Sequence, residues 1–393
     1  MTRIAARVAG LPTTVFSEFS ALAARCGAVN LGQGFPDFDG PDEVREAAVR
    51  ALREGVNQYA VGSGAPALRE AIAEHSARFY GMRVDPETMV TVTSGATEAL
   101  CDAMLGLVDP GDEVVLFEPY YDSYVANVEM AGGIARYVML RPPDGDHATW
   151  WMDFDELAAA FGPRTRLVVV NTPHNPTGKV FTRRELESIA ALCLRHDAVA
   201  LVDEVYEHIW FEPHLRMATL DGMAERTVTV SSAGKSFSFT GWKVGWAIAA
   251  PPLRHAVQQA HQFVTFATAA PLQAAVAAAL RLPDSYFDGL RASYRSKRDL
   301  LAAALDAAGL RALPVEGTYF TMADASAFGF PDDFAFCRFL TEQVGVAAIP
   351  PSAFYCEAHK QHARGLARFA FCKTEPVLQE AARRLARLRG HRS

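Results

Sequence analysis

The amino-acid sequence predicts an α/β protein with a largely parallel sheet, covered by helices on both faces, and a second, smaller domain. Short apolar runs recur along the chain, and each run is followed by a turn and then by a helical pattern. Half of the 393 residues are hydrophobic, which is enough for a large core. After about residue 285 the pattern changes to long helices with a few strands, as expected for a smaller α+β domain.

Five segments carry the strand pattern, and several continue into a helix; they span residues 89–108, 112–124, 165–178, 197–210 and 225–237. The first passes from strand to helix across Gly95, and the second ends as a strand at Pro119. Strands that alternate with helices are typical of a parallel sheet. Ligands of such sheets bind at the carboxyl ends of the strands, so we expect the functional residues there.

Charge and cysteine content exclude several classes of protein. The chain has 38 Lys and Arg against 45 Asp and Glu, a net charge of −7, which predicts no binding to nucleic acid or to an anionic membrane. Six scattered cysteines without C-x-x-C spacing predict neither disulfides nor a metal site. No segment approaches a membrane span, and the first residues lack the apolar core of a secretory signal, so we expect a soluble, cytoplasmic protein.

Most strand ends carry a residue that suits a ligand but also has an ordinary structural explanation. Gly95 and Ala96 begin a helix whose free N–H groups favour a phosphate, as any capped helix does. Tyr121 could stack on a planar ring or pack at a rim. Asn175 could donate to an anionic oxygen or complete a turn. Asp203 ends a buried strand and needs a partner, which a salt bridge or a helix cap would supply.

Three basic residues further along the chain likewise have both a functional and an ordinary structural explanation. The segment SSAGKSFSFTGWKVGW places Lys235 among small residues, with Lys243 eight positions later. Most lysines in such segments are solvated loop residues. Arg368, in ARFAFCK, lies on a strand-like segment where a guanidinium could clamp a carboxylate, although single arginines are usually surface residues. Each signal is weak alone.

In this order, however, the segments resemble the class I, fold-type I pyridoxal-phosphate aminotransferases. The chain is most similar to the branch of kynurenine, glutamine and methionine transaminases and N-succinyldiaminopimelate aminotransferases. The resemblance extends from about Phe16 to about Arg387. It rests on the blocks NLGQGFPDF, NQYAVGSG, GATEAL, EPYYDSY, NTPHNPTGKV, VDEVYEH, SSAGKSFSFTGWKVGW and RFAFCK.

This resemblance implies a large domain with a mostly parallel, seven-stranded sheet between helices, and a smaller α+β domain. The implied division is an N-terminal arm at residues 1–18, a first part of the small domain at 19–40, a large cofactor-binding domain at 41–284 and a C-terminal small domain at 285–393. It also implies cis peptide bonds before Pro119 and Pro176.

The resemblance further implies roles for the residues around pyridoxal 5′-phosphate. Lys235 would form the internal aldimine and then move the proton of the substrate Cα. Asp203 would pair with the pyridinium nitrogen, while Asn175 and Tyr206 would bind the ring oxygen and Tyr121 would stack on the ring. The phosphate would be held by Gly95, Ala96, Ser232, Lys243 and, from a second subunit, Tyr59.

The substrate would be held by a second group of residues. Arg368 would bind its α-carboxylate, with help from Asn175 and the backbone of Gly34. Its side chain would contact Phe16 and, from the second subunit, Phe266. A site shared in this way implies a homodimer with a two-fold interface.

The implied activity is the transfer of an amino group from an L-amino acid to a 2-oxo acid, by a ping-pong mechanism with aldimine and pyridoxamine forms. A carbon–sulfur β-lyase, or an oxidative deaminase or decarboxylase, stays an alternative, because motifs do not encode which way the common carbanion reacts. A transcription regulator would need a DNA-binding module before Phe16, and a nicotinamide enzyme would need a G-x-G-x-x-G turn between a strand and a helix. The sequence has neither feature, so we expect neither class of protein. The sequence leaves open whether the amino donor is an aromatic amino acid, a sulfur-containing amino acid or succinyldiaminopimelate.

Overall fold

The computed structural model describes residues 4–11 and 14–391. Residues 1–3 and 12–13, which belong to the predicted arm, and residues 392–393, at the end of the predicted C-terminal domain, lie outside the described residues. None of the described helices is both long and apolar enough to cross a membrane.

The described chain contains thirteen strands. They are β1 (Val29–Asn30), β2 (Val90–Thr93), β3 (Glu113–Glu118), β4 (Ile134–Arg141), β5 (Trp151–Met152), β6 (Thr165–Asn171), β7 (Val199–Asp203), β8 (Thr227–Ser232), β9 (Gly245–Ala249), β10 (Arg311–Ala312), β11 (Phe320–Asp324), β12 (Val346–Ala347) and β13 (Leu366–Ala370).

Fourteen α-helices lie between these strands in the described ranges. They are α1 (Ala6–Ala9), α2 (Val15–Cys26), α3 (Asp42–Arg53), α4 (Pro66–Tyr80), α5 (Gly95–Leu107), α6 (Ser123–Ala131), α7 (Phe154–Ala159), α8 (Arg183–His196), α9 (Ala233–Ser236), α10 (Pro251–Val264), α11 (Ala270–Leu280), α12 (Asp284–Ala308), α13 (Asp333–Phe339) and α14 (Glu375–Leu385). Short 3₁₀ turns include Thr240–Trp242, Pro351–Phe354 and Glu357–Ala363.

The large sheet has the strand order β2-β9-β8-β7-β6-β3-β4-β5. Strands β4, β3, β6, β7 and β8 are parallel, whereas β9 runs antiparallel to both β8 and β2. The seven strands predicted for a mostly parallel sheet are therefore present. The two-residue β5 adds a short eighth strand, antiparallel to β4, at one edge.

Both faces of this sheet are buried. Along β6, Val168 and Val170 belong to one apolar cluster, and Leu167 and Val169 belong to the cluster on the opposite face. Successive side chains of a strand point to opposite faces, so a sheet covered on both sides requires a continuous apolar run. The run LVVV in the sequence has this physical origin.

The C-terminal third of the chain forms most of a second apolar core. There β11 pairs antiparallel with β10 and β13, while β1 pairs parallel with β12. Phe19 of α2 packs in the same cluster as Leu301 of α12 and Phe369 of β13, so the N-terminal helix joins this core. We propose that the domain boundaries predicted above apply to this arrangement.

Three peptide bonds in the described chain are cis. Those before Pro119 and Pro176 were predicted, and this prediction is confirmed. The third precedes Pro173, in the same loop after β6.

Candidate active site

A cavity of about 270 Å³ lies at the carboxyl ends of β6, β7 and β8. Its walls contain all the predicted site residues except Tyr59 and Phe266. They are Phe16, Gly34, Gly95, Ala96, Tyr121, Asn175, Asp203, Tyr206, Ser232, Lys235, Lys243 and Arg368. Residues of the large sheet and residues of the second core thus line one cavity. Its position at the strand ends is the usual one for ligand sites of parallel sheets.

Lys235 lies on the short helix α9, which begins directly after β8. Its Nζ is 5.7 Å from the ring centres of both Tyr206 and Tyr319. Burial lowers the pKa of Lys235, and the positive charge of Arg368 lowers it further, while Asp203 opposes the shift. A lysine with a lowered pKa holds more of its amine in the neutral form, which is the nucleophilic form.

Asp203 ends β7 as a buried carboxylate. It accepts a hydrogen bond from the Tyr124 hydroxyl at 2.7 Å and one from the Val205 amide at 3.3 Å. Burial raises the pKa of Asp203, and these donors oppose that shift. Its neighbour Glu204 pairs with Arg216, whereas no ion pair joins Asp203 to any residue in the described part of the chain. A buried carboxylate of this kind, on a cavity wall, is suited to a cationic ring nitrogen.

Tyrosine rings form the wall around these two residues. Tyr121 meets Tyr124 edge-on, with ring centres 5.6 Å apart, and burial raises the pKa of Tyr121 to about 12. Tyr206 meets Tyr319 in the same way at 5.2 Å. Burial likewise raises the pKa of Tyr206, so its hydroxyl stays protonated and can donate a hydrogen bond.

An anion cradle lies at the start of α5. Gly95 has φ +73°, and a Cβ at this position would lie 3.2 Å from Nζ of Lys243. Lys243 itself is exposed, and its Nζ is 3.4 Å from the Thr97 hydroxyl. A Cβ on Gly245 would lie 2.6 Å from the Ala96 nitrogen, so this backbone approach needs glycine. Free helix N–H groups beside a lysine form a phosphate site.

Arg368, on β13, lies at the other end of the cavity with only 1% of its surface exposed. Its Nη1 donates to Asn175 Oδ1 at 3.0 Å and its Nη2 to the Gly32 carbonyl at 2.8 Å. Burial lowers the pKa of Arg368 to about 10, so the guanidinium stays charged at neutral pH. Its buried Nε has no hydrogen-bond partner within the described chain, so this donor is left for an acceptor such as a carboxylate.

Aromatic residues surround this guanidinium. The ring of Phe16 lies 5.0 Å from the Arg368 Cζ and packs against Phe354 at 5.7 Å. Gly34 approaches closely, because a Cβ there would lie 2.4 Å from Phe320, and its carbonyl accepts from the Tyr319 hydroxyl. These rings provide an apolar wall beside the carboxylate site.

Tyr59 and Phe266 lie outside the cavity. They contact each other edge-on at 5.2 Å and are 85% and 53% exposed. Phe263 and Val264, also largely exposed, lie close to Phe266 in the chain. The role predicted for Tyr59 and Phe266 in the site of a second subunit stays a prediction.

Sequence reasoning did not select several residues that line the cavity, including Gln33, Thr97, Tyr124, Asn171, Thr240 and Phe320. Tyr124 was visible in the block EPYYDSY, one helical turn after Tyr121. Asn171 ends β6, accepts from the Asn175 amide at 2.7 Å and donates to the Asp203 carbonyl at 2.9 Å. Asn171 thereby holds the loop that follows β6 against the end of β7.

A lysine, a buried acid and an anion cradle at adjoining strand ends define a class of enzymes that hold a phosphorylated, ring-containing cofactor. The family model for aminotransferase class I and II matches residues 27–385. The probable N-succinyldiaminopimelate aminotransferase of Mycobacterium tuberculosis (strain H37Rv) is 49% identical over 95% of this chain and 96% of that protein. The methionine aminotransferase of Escherichia coli (strain K12) is 43% identical over 96% of both.

Solved structures agree. The N-succinyldiaminopimelate aminotransferase of Mycobacterium tuberculosis has a TM-score of 0.94 at 49% identity, covering 98% of this chain and all of that one. An aspartate aminotransferase of Thermus thermophilus has a TM-score of 0.89 at 34% identity, covering 99% and 100%. The chain belongs to the class I and II aminotransferase family, has the fold-type I architecture and is a pyridoxal-phosphate-dependent aminotransferase.

The residues of the cavity fit this cofactor. Asp203 is available for the ring nitrogen, Lys235 for the aldehyde, and the Gly95 cradle for the phosphate. When bound, pyridoxal phosphate supplies an electron sink for the bond broken at the substrate Cα. The side chains around the cavity would supply the rest: a cation for the substrate carboxylate, tyrosine rings that exclude water and an amine that moves the proton.

Proposed function

We propose that this protein transfers the amino group of an L-amino acid with a long side chain to a 2-oxo acid such as 2-oxoglutarate or pyruvate. One observation carries the proposal: the buried guanidinium of Arg368 and the amine of Lys235 line the same cavity, and Arg368 Nε lacks a partner among the described residues. A fixed cation in a small cavity selects the α-carboxylate common to all amino acids.

Each residue has a defined task in this proposal. Arg368 holds the α-carboxylate, and Asn175, already bound to Nη1, fixes the orientation of the guanidinium. Lys235 Nζ takes the Cα proton of the donor and delivers a proton to the cofactor carbon that bore the aldehyde; in the second half-reaction it moves a proton the opposite way, to the Cα formed from the 2-oxo acid. Tyr124 and the Val205 amide donate to Asp203 and so stabilise its charged form against burial. Tyr121 and Tyr206 cover the reacting atoms and exclude water.

The proposed donor follows from the walls beside Arg368. Phe16, Phe320 and Phe354 all lie within about 5 Å of its Cζ and form an apolar surface. Relatives of this chain include a methionine aminotransferase, a kynurenine–oxoglutarate transaminase and a probable N-succinyldiaminopimelate aminotransferase. Each of these donors has a side chain long enough to reach past the rings.

We also propose that the active form is a homodimer in the cytoplasm. Tyr59, Phe263 and Phe266 expose 85%, 83% and 53% of their surface, which is unusual for aromatic residues so close together in the fold. A second copy would cover them and bring Tyr59 to the anion cradle. All six cysteines are free thiols, which supports a reducing compartment. Sedimentation velocity tests the dimer, and a monomer at working concentration contradicts it.

The absorption spectrum of the holoenzyme tests the reaction. Single amino acids are added without any acceptor: methionine, kynurenine, N-succinyl-diaminopimelate and, as a control, D-methionine. We expect bleaching of the cofactor band and release of one 2-oxo acid per subunit, with the fastest donor identifying the substrate class. Release of ammonia with an unchanged band would contradict amino transfer. A protein that takes up no pyridoxal phosphate would contradict the site itself.

A further inference from the structure

A second cluster of reactive side chains lies about one strand away from the active site. Glu118 ends β3 with no exposed surface, and it directly precedes the loop that carries Tyr121. Facing it are Cys356 and His359, from the 3₁₀ turn at residues 357–363 and the residue that caps it. Their ligand atoms all lie within 4.8 Å of one another.

All the polar groups of this cluster point at one carboxylate. Oε2 of Glu118 accepts from His359 Nδ1 at 2.5 Å, and Oε1 accepts from the Cys356 amide at 2.5 Å. The Cys356 thiol also hydrogen-bonds to Glu118. Carboxylate, thiol and imidazole are the side chains that bind Zn²⁺ in proteins.

The local backbone explains why the thiol and imidazole lie together. The His359 amide donates to the Cys356 carbonyl at 2.9 Å, which is the i to i+3 bond of a 3₁₀ turn. Side chains three residues apart eclipse in such a turn, so both face Glu118. Two ligands lie on one turn and the third lies on a strand, so only side chains have to move apart for a single ion to enter.

We propose that Glu118, Cys356 and His359 form a binding site for a thiophilic divalent cation such as Zn²⁺. Binding releases the thiol proton to solvent, and the imidazole proton moves from Nδ1 to Nε2, leaving Nδ1 free to coordinate. Three protein ligands leave the fourth position for water.

An entry path and a carboxylate that pairs with none of the described arginines distinguish this cluster from two others. Cys356 lines a wide cavity of about 1060 Å³, and His359 is 34% exposed, so an ion can reach the site from solvent. By contrast, the buried group of His75, Glu207 and His208 has its carboxylate bound by Arg216 at 2.5 Å. The group of Glu98, Asp102 and His261 is fully buried.

The site would connect the two cores. The turn that carries Cys356 follows Phe354, whose carbonyl accepts from the Tyr120 amide at 2.8 Å and whose ring packs on Phe16. A bound ion would hold this segment to the end of β3. It would thereby restrict movement of the apolar wall beside Arg368.

Competition for Zn²⁺ between the holoenzyme and a chromophoric chelator tests the proposal. We expect wild-type protein to remove one Zn²⁺ per subunit from the chelator at micromolar concentration. Cys356→Ser and His359→Gln should each weaken this binding at least about tenfold, since even second-shell changes cost that much. The controls are Cys26→Ser, an exposed cysteine elsewhere, and His362→Gln, which lies on the same turn outside the cluster. Both should bind Zn²⁺ like the wild type.

A thiol titration gives a second readout on unmodified protein. Zn²⁺ should protect one reactive thiol of the wild-type holoenzyme, and that thiol should be missing in Cys356→Ser. Retention of the cofactor absorption band shows that each variant is folded. Absence of Zn²⁺ binding by the wild type, or equal binding by Cys356→Ser, overturns the proposal. Neither result depends on which amino acid is the donor.

Discussion

The hydroxyl of Tyr124 donates a hydrogen bond to Oδ2 of Asp203 across 2.7 Å, and both groups are buried. Tyr124 lies on α6 and Asp203 ends β7, so the bond crosses from a helix on one face of the sheet to a strand end. It opposes the burial that raises the pKa of Asp203. The charge on this acid therefore depends on a residue that touches no predicted substrate atom.

Replacing Tyr124 by Phe tests this dependence. A hydrogen bond to a charged group contributes about 1.5–3 kcal/mol, so we expect the first half-reaction to slow by at least about tenfold while the cofactor stays bound. Loss of the donor raises the pKa of Asp203, and the acidic limb of the pH–rate profile should therefore move to higher pH. Tyr137→Phe, on β4, is the matched control. An unmoved acidic limb would show that Tyr124 only fills space.

Lys235→Ala should abolish turnover, because no other described amine lies at the same place in the cavity. Borohydride should no longer fix the cofactor covalently to this variant. Lys243→Ala is the comparison variant. Borohydride should still fix the cofactor to it, but it should bind the cofactor more weakly, since the substitution removes a positive charge beside the proposed phosphate site. Mass spectrometry of reduced protein measures both. Persistent labelling of Lys235→Ala would place the reactive lysine elsewhere.

Arg368→Ala should raise KM for every amino acid tested, with a smaller change in kcat, because in the proposed function the guanidinium binds the α-carboxylate that all donors share. Arg368→Lys should recover only part of the loss, since an ammonium cannot make two parallel hydrogen bonds. Steady-state kinetics with methionine, kynurenine and alanine distinguish the cases. A loss confined to one donor would indicate that Arg368 binds a side chain instead.

Three buried histidines predict the acid limit of stability. Burial lowers the pKa of His75 to about 4 and that of His174 to about 3, and it lowers the pKa of His208 as well. The folded state therefore binds fewer protons than the unfolded state below about pH 6.5, and stability is lost as pH falls from there. The lowered pKa of His75 alone reduces the free energy of unfolding by about 3 kcal/mol at pH 4, relative to neutral pH.

Melting temperatures between pH 7 and pH 5 measure this effect. We expect a steady fall for the wild type and a shallower fall for His75→Gln, which cannot gain the extra proton. The exposed His362→Gln should follow the wild type. Parallel curves for all three proteins would show that other groups control acid unfolding.

Much of the site was predictable because its residues lie at strand ends. Asp203, Ser232 and Lys235 follow apolar runs of the kind that only a buried parallel sheet requires, and such a sheet brings the ends of its strands to one edge. The blocks around Gly95 and Asn175 carry glycine and proline for turns of fixed shape. Resemblance to the aminotransferases then supplied the individual roles.

Other contacts in the structure cannot be predicted from patterns of neighbouring residues. The bond from Arg368 to the Gly32 carbonyl joins residues 336 apart in the chain, and Glu118 is 238 residues from Cys356. Spacing rules for metal ligands compare neighbours in sequence, so they found no site there.

The sequence by itself predicted the fold class, because burial patterns and turn residues act over a few neighbouring positions. Its resemblance to the aminotransferases implied the cofactor and the candidate site residues. Tertiary structure alone decided that Tyr124 supports Asp203 and that Glu118, Cys356 and His359 converge. Those contacts depend on how helices and the second core pack onto the sheet, and packing is a property of the whole chain.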